Sequence, residues 1–90
     1  MVDSKTVKSV TPLYLKTVSQ KFDLMTIFLL DLSRRGIAQL GSIVDCQNLQ
    51  VLDLSHNNLL IITGIDALKD IKVLSLAYNK LTIVDALKGC

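Results

Sequence analysis

Residues 49–59 read LQVLDLSHNNL, and the same pattern returns 22 positions later in residues 71–81, which read IKVLSLAYNKL. Residues 27–37, IFLLDLSRRGI, begin an earlier copy at the same stride. Within each copy the leucine-x-leucine pair has a period of two, which points both leucines to one face of a short strand. The sequence therefore predicts three stacked strands, at residues 29–32, 51–54 and 73–76.

Six apolar columns run through the three copies. Two columns hold the leucines of the predicted strands. The other four follow at steps of three residues, the period of a 3₁₀ turn or a loose extended segment rather than of a strand. The columns are Leu30/Leu52/Leu74, Leu32/Leu54/Leu76, Ile37/Leu59/Leu81, Leu40/Ile62/Val84, Ile43/Ile65/Leu87 and Cys46/Leu68/Cys90. Each copy is thus predicted to be a strand, a turn and a return segment around one interior.

Asparagine marks the turn after the predicted strand. Asn57 and Asn79 each stand three residues after the second leucine of their copy. An amide side chain at this place can satisfy backbone groups of its own turn and of the neighbouring copy. We therefore expect a structural ladder of asparagines along the stack. The first copy has Arg35 in this column, and such irregularity is common in a first repeat that lies against a cap.

These features match L-x-x-L-x-L-x-x-N-x-L, the pattern of leucine-rich repeats. The 22-residue stride with its x-x-L steps resembles the short Sds22-like class, which includes the phosphatase regulator Sds22 and the spliceosomal U2 A-prime protein. Residues 10–16, 22–24 and 29–32, the Gly36–Gly41 step, Cys46 and Cys90 resemble the leucine-rich repeat-containing protein 61 family in its N-terminal portion. The resemblance implies an α/β repeat solenoid with a short parallel β-sheet on its concave face, 3₁₀ or coil return segments and an N-terminal helical cap.

The N-terminal part is predicted to be a cap. Residues 1–26 form an arm and a cap helix in this prediction, with Thr11 as N-cap and Pro12 in the first turn, where a missing N–H costs nothing. The helix is expected to run from Pro12 to about Lys21. Three apolar residues at helical spacing are expected to cover the first repeat: Leu15, Val18 and Phe22.

After the cap, the sequence predicts three repeats, at residues 27–48, 49–70 and 71–90, and no C-terminal cap. The last residue, Cys90, falls in the last core column. An uncapped repeat leaves apolar side chains and a strand edge unpaired, which invites association. We therefore expect a piece of a longer solenoid or one that depends on a partner, with self-association through the third repeat as an alternative.

Composition and charge argue against nucleic acid and membranes as direct partners. The net charge of +2 over 90 residues is too small to predict direct binding of nucleic acid. The longest near-apolar run, residues 24–30, is much shorter than the roughly 20 residues that cross a bilayer. The residues after Met1 lack the apolar core of a secretory signal. We expect a cytoplasmic protein, with the nucleus as the alternative, and no membrane partner.

The residues between the strand leucines are predicted to face outward on the concave side. Strands lie about 4.8 Å apart, so equivalent residues of the three repeats form continuous rows. The predicted partner-binding residues are Asp31, Arg34, Val51, Asp53, Ser55, His56, Val73, Ser75 and Tyr78. We expect this face to bind a protein partner by rigid display of side chains. For any single residue, an ordinary solvated surface is an equally good interpretation.

No arrangement in the sequence predicts catalysis or a cofactor. Asp53, Ser55 and His56 are the residue types of a hydrolase triad, but neighbours on one strand cannot hold a base oriented by a third group. Cys46 and Cys90 lie two repeats apart, at least about 10 Å, which is too far for a disulfide, and with one histidine there is no metal-ligand spacing. The alternative function is membership of a ribonucleoprotein or phosphatase-regulatory complex, with RNA bound only indirectly.

Overall fold

The computed structural model of this protein describes residues 9–81. One α-helix, α1, is followed by three strands, β1, β2 and β3, with a 3₁₀ turn before β1 and another between each pair of strands. The helix spans Pro12–Ser19, the strands span Leu29–Asp31, Val51–Asp53 and Val73–Ser75, and the 3₁₀ turns span Leu24–Thr26, Gly41–Asp45 and Ile65–Ala67. The predicted α/β arrangement of parallel strands, 3₁₀ turns and an N-terminal helix is confirmed.

The strands pair so that residues 22 positions apart in the sequence lie side by side in the sheet. The strand order is β1-β2-β3 and both pairs are parallel, so that Leu30 lies beside Leu52 and Leu52 beside Leu74. Backbone hydrogen bonds continue past the strands, since the Leu32 N–H donates to the Asp53 carbonyl at 2.8 Å. Equivalent residues of successive repeats are therefore direct neighbours, which aligns both the core and the outer rows.

The interior is built from aliphatic side chains of the predicted columns. Members of the first two repeats that are fully or almost fully buried are Leu30, Leu32, Ile37, Leu40, Ile43, Cys46, Leu52, Leu54, Leu59, Ile62 and Leu68. Burial is less complete at β3, where Leu74 is 39% exposed because no further strand lies beyond it in the described part of the chain. The predicted core positions Val84, Leu87 and Cys90 lie outside the described residues.

Helix α1 begins as the sequence predicts. The Thr11 hydroxyl accepts a hydrogen bond from the Tyr14 N–H at 3.1 Å, and Pro12 occupies the first turn. Leu15 is fully buried against the first repeat. Leu15 is the one residue of this helix that is fully buried, so the cap covers the first repeat with little apolar surface. No described helix is long and apolar enough to cross a membrane.

The prediction that Phe22 packs on the first repeat is wrong. Gln20 adopts a left-handed conformation with φ 60° and ends the helix at Ser19, two residues before the predicted end. Since the helical spacing stops there, Phe22 does not share the face of Leu15 and is 95% exposed. Val18, on the last turn, is 37% exposed and contributes little to the core.

The N-terminal segment is fastened to the first return segment through its backbone. Ser9 forms a parallel bridge with Gln39, and the Ser42 N–H donates to the Val10 carbonyl at 2.8 Å. Val10 itself is buried. Gly41 has φ +54° and lies so close to Val10 that a side chain there would overlap the Val10 backbone. The sequence did not predict this close contact between two chain segments.

Candidate functional site on the outward sheet face

The outward sheet face consists of the residues that alternate with the buried leucines of the three strands and of the turns that follow them. The structure brings all the residues of the predicted partner site to this surface in three aligned sets. They are Asp31 and Arg34 in the first repeat, Val51, Asp53, Ser55 and His56 in the second, and Val73, Ser75 and Tyr78 in the third. Each is exposed or half-buried.

The first row of this face is apolar. Leu29 pairs in register with Val51, which pairs with Val73. Leu29 is 61% exposed and Val73 is 57% exposed, and Val51 between them is half-buried. A row of aliphatic side chains left open to water across three strands offers area whose burial by a partner is favourable. Leu29 is not among the partner-binding residues that the sequence predicted, and its exposure makes it part of the candidate site.

The second row carries two carboxylates side by side. Asp31 pairs in register with Asp53, and each uses Oδ1 to accept the backbone N–H of the serine two residues later, at 3.2 Å from Ser33 and 2.9 Å from Ser55. The Ser55 hydroxyl and then its amide hold the pKa of Asp53 below its ordinary value. Asp53 is therefore a fixed negative charge at neutral pH, and its position is set by the turn.

Ser33 and Ser55 each hydrogen-bond the aspartate of their own turn. The Ser33 hydroxyl donates to Asp31 Oδ1 at 2.9 Å, which repeats the local contact of an Asx-type turn. In the described part of the chain, the His56 side chain makes no hydrogen bond to Asp53 or Ser55, and its ring stacks on Tyr78. Among residues 9–81 no group of three potential metal ligands comes together.

A left-handed backbone column borders the face. Arg34, His56 and Tyr78 have φ angles of 58°, 56° and 59° at equivalent positions of the three repeats. Residues other than glycine adopt the left-handed conformation at a cost of about 1–2 kcal/mol each. Hydrogen bonds of the surrounding backbone must therefore hold these three residues in place. The His56 N–H donates to the Ala77 carbonyl at 2.9 Å, which secures the turn.

The left-handed turns place two rings against each other. The His56 and Tyr78 rings stack with centroids 4.3 Å apart and planes 12° from parallel. Tyr78 is 75% exposed, so the pair presents a flat aromatic surface at the edge of the face. The sequence predicted both residues as part of the partner site but did not predict their stacking, for which the only signal was their shared position directly before the asparagines.

Asn57 joins its own turn to the preceding repeat. Its side chain is buried, with Oδ1 accepting the backbone N–H of Arg35 at 2.9 Å and of Ile37 at 3.0 Å. Its Nδ2 donates to the carbonyls of Leu32 and Leu54, both at 2.9 Å. One amide thus satisfies backbone groups of two repeats and fixes the turn that carries His56.

Asn79 makes the equivalent contacts one repeat later. Its Oδ1 accepts the Leu59 N–H at 3.0 Å, and its Nδ2 donates to the Leu54 carbonyl at 2.8 Å and to the Leu76 carbonyl at 3.0 Å. In the first repeat Arg35 replaces asparagine and donates instead from Nη1 to the Tyr14 hydroxyl at 3.1 Å. Arg35, which stands where the other repeats have asparagine, therefore connects the first repeat to helix α1.

Cys46 is a buried thiol beneath this scaffold, and its chemistry is testable. Burial, with a smaller contribution from the Asp45 charge, raises its pKa from 9.0 to about 11. In a Cys90→Ser variant we expect iodoacetamide to alkylate folded protein far more slowly than urea-unfolded protein at pH 8, because the reactive species is the thiolate. Mass spectrometry measures both rates, and equal rates would contradict the burial of Cys46.

The same raised pKa has a consequence for stability. The folded state prefers the protonated thiol, so its contribution is complete below pH 9.0 and is lost as the pH rises toward about 11.

Comparison with known proteins agrees with this geometry. Residues 48–68, which contain β2, its turn and the following 3₁₀ turn, match the model of the Leucine Rich Repeat family. This segment is a leucine-rich repeat, and the three parallel strands with their 3₁₀ turns and N-terminal helix form a short leucine-rich-repeat α/β arrangement. No curated protein and no solved structure matches the chain.

Proposed function

We propose that this protein is a protein–protein interaction module that binds a protein partner through the outward sheet face. The observation that carries the proposal is the row of exposed aliphatic side chains, Leu29, Val51 and Val73, in register beside the carboxylates of Asp31 and Asp53. A leucine-rich repeat is in general a module for protein interaction, which supports the same function. Catalysis has no support from the arrangement of the polar groups.

Rigid display is the mechanism that this face favours. The backbone under each outward residue is held by parallel strand pairing, and the turns are held by Asn57 and Asn79. A preorganised surface loses little conformational entropy when it binds. The apolar row supplies the area that a partner buries, and the two carboxylates and the stacked His56–Tyr78 pair determine the partner's orientation and identity.

The test compares two variants with the same change of charge. Asp53→Arg combined with Tyr78→Ser alters the outward sheet face, whereas Asp66→Arg combined with Thr63→Ser alters exposed residues of the return segment. Quantitative cross-linking mass spectrometry of the tagged protein in cells measures which partners are retained. We expect the first variant to lose at least one partner about tenfold, as for the removal of an interface hot spot.

The control variant is expected to retain that partner at the wild-type level. Retention of every partner by the face variant, or equal loss in both variants, would contradict the proposal. Treatment with ribonuclease before capture tests the alternative of a ribonucleoprotein, because a partner bound through RNA is then lost, and a phosphatase subunit among the retained partners would favour the alternative of a phosphatase-regulatory complex. We further propose that the relatives of this protein are found in the Sds22-like class and in the leucine-rich repeat-containing protein 61 family, as the resemblances of the sequence predict.

A further inference from the structure

A second apolar surface lies at the opposite end of the molecule from β3, on the outside of helix α1. A groove of about 340 Å³ is lined by Leu13, Lys16, Thr17, Gln20, Lys21 and Phe22. This volume falls at the small end of the range of roughly 300–1,000 Å³ that ligand pockets occupy. None of these residues belongs to the outward sheet face, so the groove is separate from the site proposed above.

The groove presents large apolar side chains that the fold does not use. Phe22 is 95% exposed and Leu13 is 75% exposed. The Thr17 hydroxyl donates to the Leu13 carbonyl at 2.8 Å, so its polar group is already satisfied within the helix. Single exposed apolar residues are ordinary on protein surfaces, but here a phenylalanine and a leucine line the same shallow groove, where one bound side chain can contact both.

The local backbone holds Phe22 in this outward position. Gln20 has the left-handed φ of 60°, and the Lys21 N–H donates to the Ser19 hydroxyl oxygen at 3.2 Å. These two features end the helix and turn the chain, so Phe22 leaves the path that would bury it beside Leu15. Asp23 then starts the next 3₁₀ turn by accepting the Met25 N–H at 2.9 Å.

The charges at the groove are positive. Lys16 and Lys21 line it, and the carboxylate of Asp23, the only acidic residue between positions 9 and 28, is occupied by the Met25 amide. The chain's own residues 1–8 carry two lysines and one aspartate, so they do not supply the complementary negative charge. Charge complementarity therefore favours an acidic occupant from another protein.

We propose that this groove binds a short acidic segment of a partner protein, with one large apolar side chain against Leu13 and Phe22 and carboxylates facing Lys16 and Lys21. The segment is short because α1 has eight residues and is about 12 Å long. The apolar contact supplies affinity, and the two lysines select the sign of the partner's charge.

Three synthetic peptides test this proposal on the full chain. The sequences are EDEFEDLE, the basic counterpart KRKFKRLK, and EDESEDSE, which keeps the charge but lacks the apolar side chains. Fluorescence anisotropy measures affinity, and backbone amide chemical shifts locate the bound peptide. We expect EDEFEDLE to bind with a dissociation constant of about 1 mM or tighter and to shift amides of residues 13–22, with the other two binding at least about tenfold more weakly.

Charge reversal provides the sharper test. A variant with Lys16→Glu and Lys21→Glu is expected to lose about tenfold in affinity for EDEFEDLE and to prefer KRKFKRLK instead. The matched control reverses Lys69 and Lys72, which are exposed outside helix α1, and should bind as the wild type does. Phe22→Ser should abolish binding without affecting the fold, since that side chain packs on nothing else in the described residues.

Three results would overturn the proposal: no binding of EDEFEDLE, shifts on the outward sheet face instead of helix α1, or unchanged affinity in the charge-reversed variant. Thermal unfolding of each variant, followed by circular dichroism, verifies that a loss of binding is not a loss of fold.

Discussion

Replacement of Asn57 by alanine is expected to lower the free energy of unfolding by about 3–5 kcal/mol, because buried backbone groups that lose their only partner cost about 1–3 kcal/mol each. The variant leaves the N–H groups of Arg35 and Ile37 without their acceptor and removes the donor to the Leu32 carbonyl. Domains of this size are stabilised by about 5–15 kcal/mol, so the variant should unfold largely or melt far below the wild type. Urea unfolding followed by circular dichroism measures the difference.

Asn79→Ala is the matched control for this effect. Asn79 is only half-buried, and its Oδ1 serves one N–H, that of Leu59, whereas Asn57 serves two. Its replacement should therefore cost clearly less, about 1–2 kcal/mol. Equal losses at the two positions, or a loss below 1 kcal/mol at Asn57, would contradict the role assigned to the buried amide.

Replacement of Gly41 by alanine is expected to cost about 3 kcal/mol or more. The new methyl group would overlap the Val10 carbonyl oxygen and lie 2.8 Å from the Val10 nitrogen, and φ +54° is itself unfavourable for alanine. The strain is relieved only if Ser9 and Val10 leave the return segment, which breaks the hydrogen bond from the Ser42 N–H and uncovers Val10. Amide hydrogen exchange at Ser42 should then rise together with that of helix α1.

Gly64 is the control for a left-handed glycine without a backbone clash. It has φ +96°, and a methyl group there would meet the side chain of Val44 at 3.1 Å, which can shift. Gly64→Ala should therefore lose less stability than Gly41→Ala and should leave exchange at Ser42 unchanged. Full protection of Ser42 in the Gly41→Ala variant would show that the N-terminal segment does not depend on this contact.

The strands and their register were predictable because one stride of 22 residues fixes both at once. Equivalent leucines of neighbouring repeats lie side by side in register, so a column of equivalent residues is also a set of contacts. The outward rows follow from strand alternation, and Asp31, Asp53 and Val51 needed no further information. The N-cap at Thr11 followed from residue type alone.

The features that the sequence did not predict depend on backbone torsions that are unusual for the residue types concerned. Gln20 is left-handed without being glycine, and so the end of α1 and the exposure of Phe22 could not be read from helical spacing. His56 and Tyr78 share the same torsion, and their stacking follows from it rather than from either side chain. The contact between Val10 and Gly41 joins distant segments, and no local pattern encodes it.

The direction in which the asparagines act has a consequence for synthesis on the ribosome. Asn57 completes the turn at Arg35 to Ile37, and Asn79 completes the backbone at Leu59, so each amide serves residues that were translated about one repeat earlier. A newly made turn must therefore wait, with its N–H groups bonded to water, until roughly twenty more residues have emerged. During synthesis we therefore expect the turn at residues 35–37 to close only after Asn57 has emerged, and the backbone at Leu59 only after Asn79 has emerged.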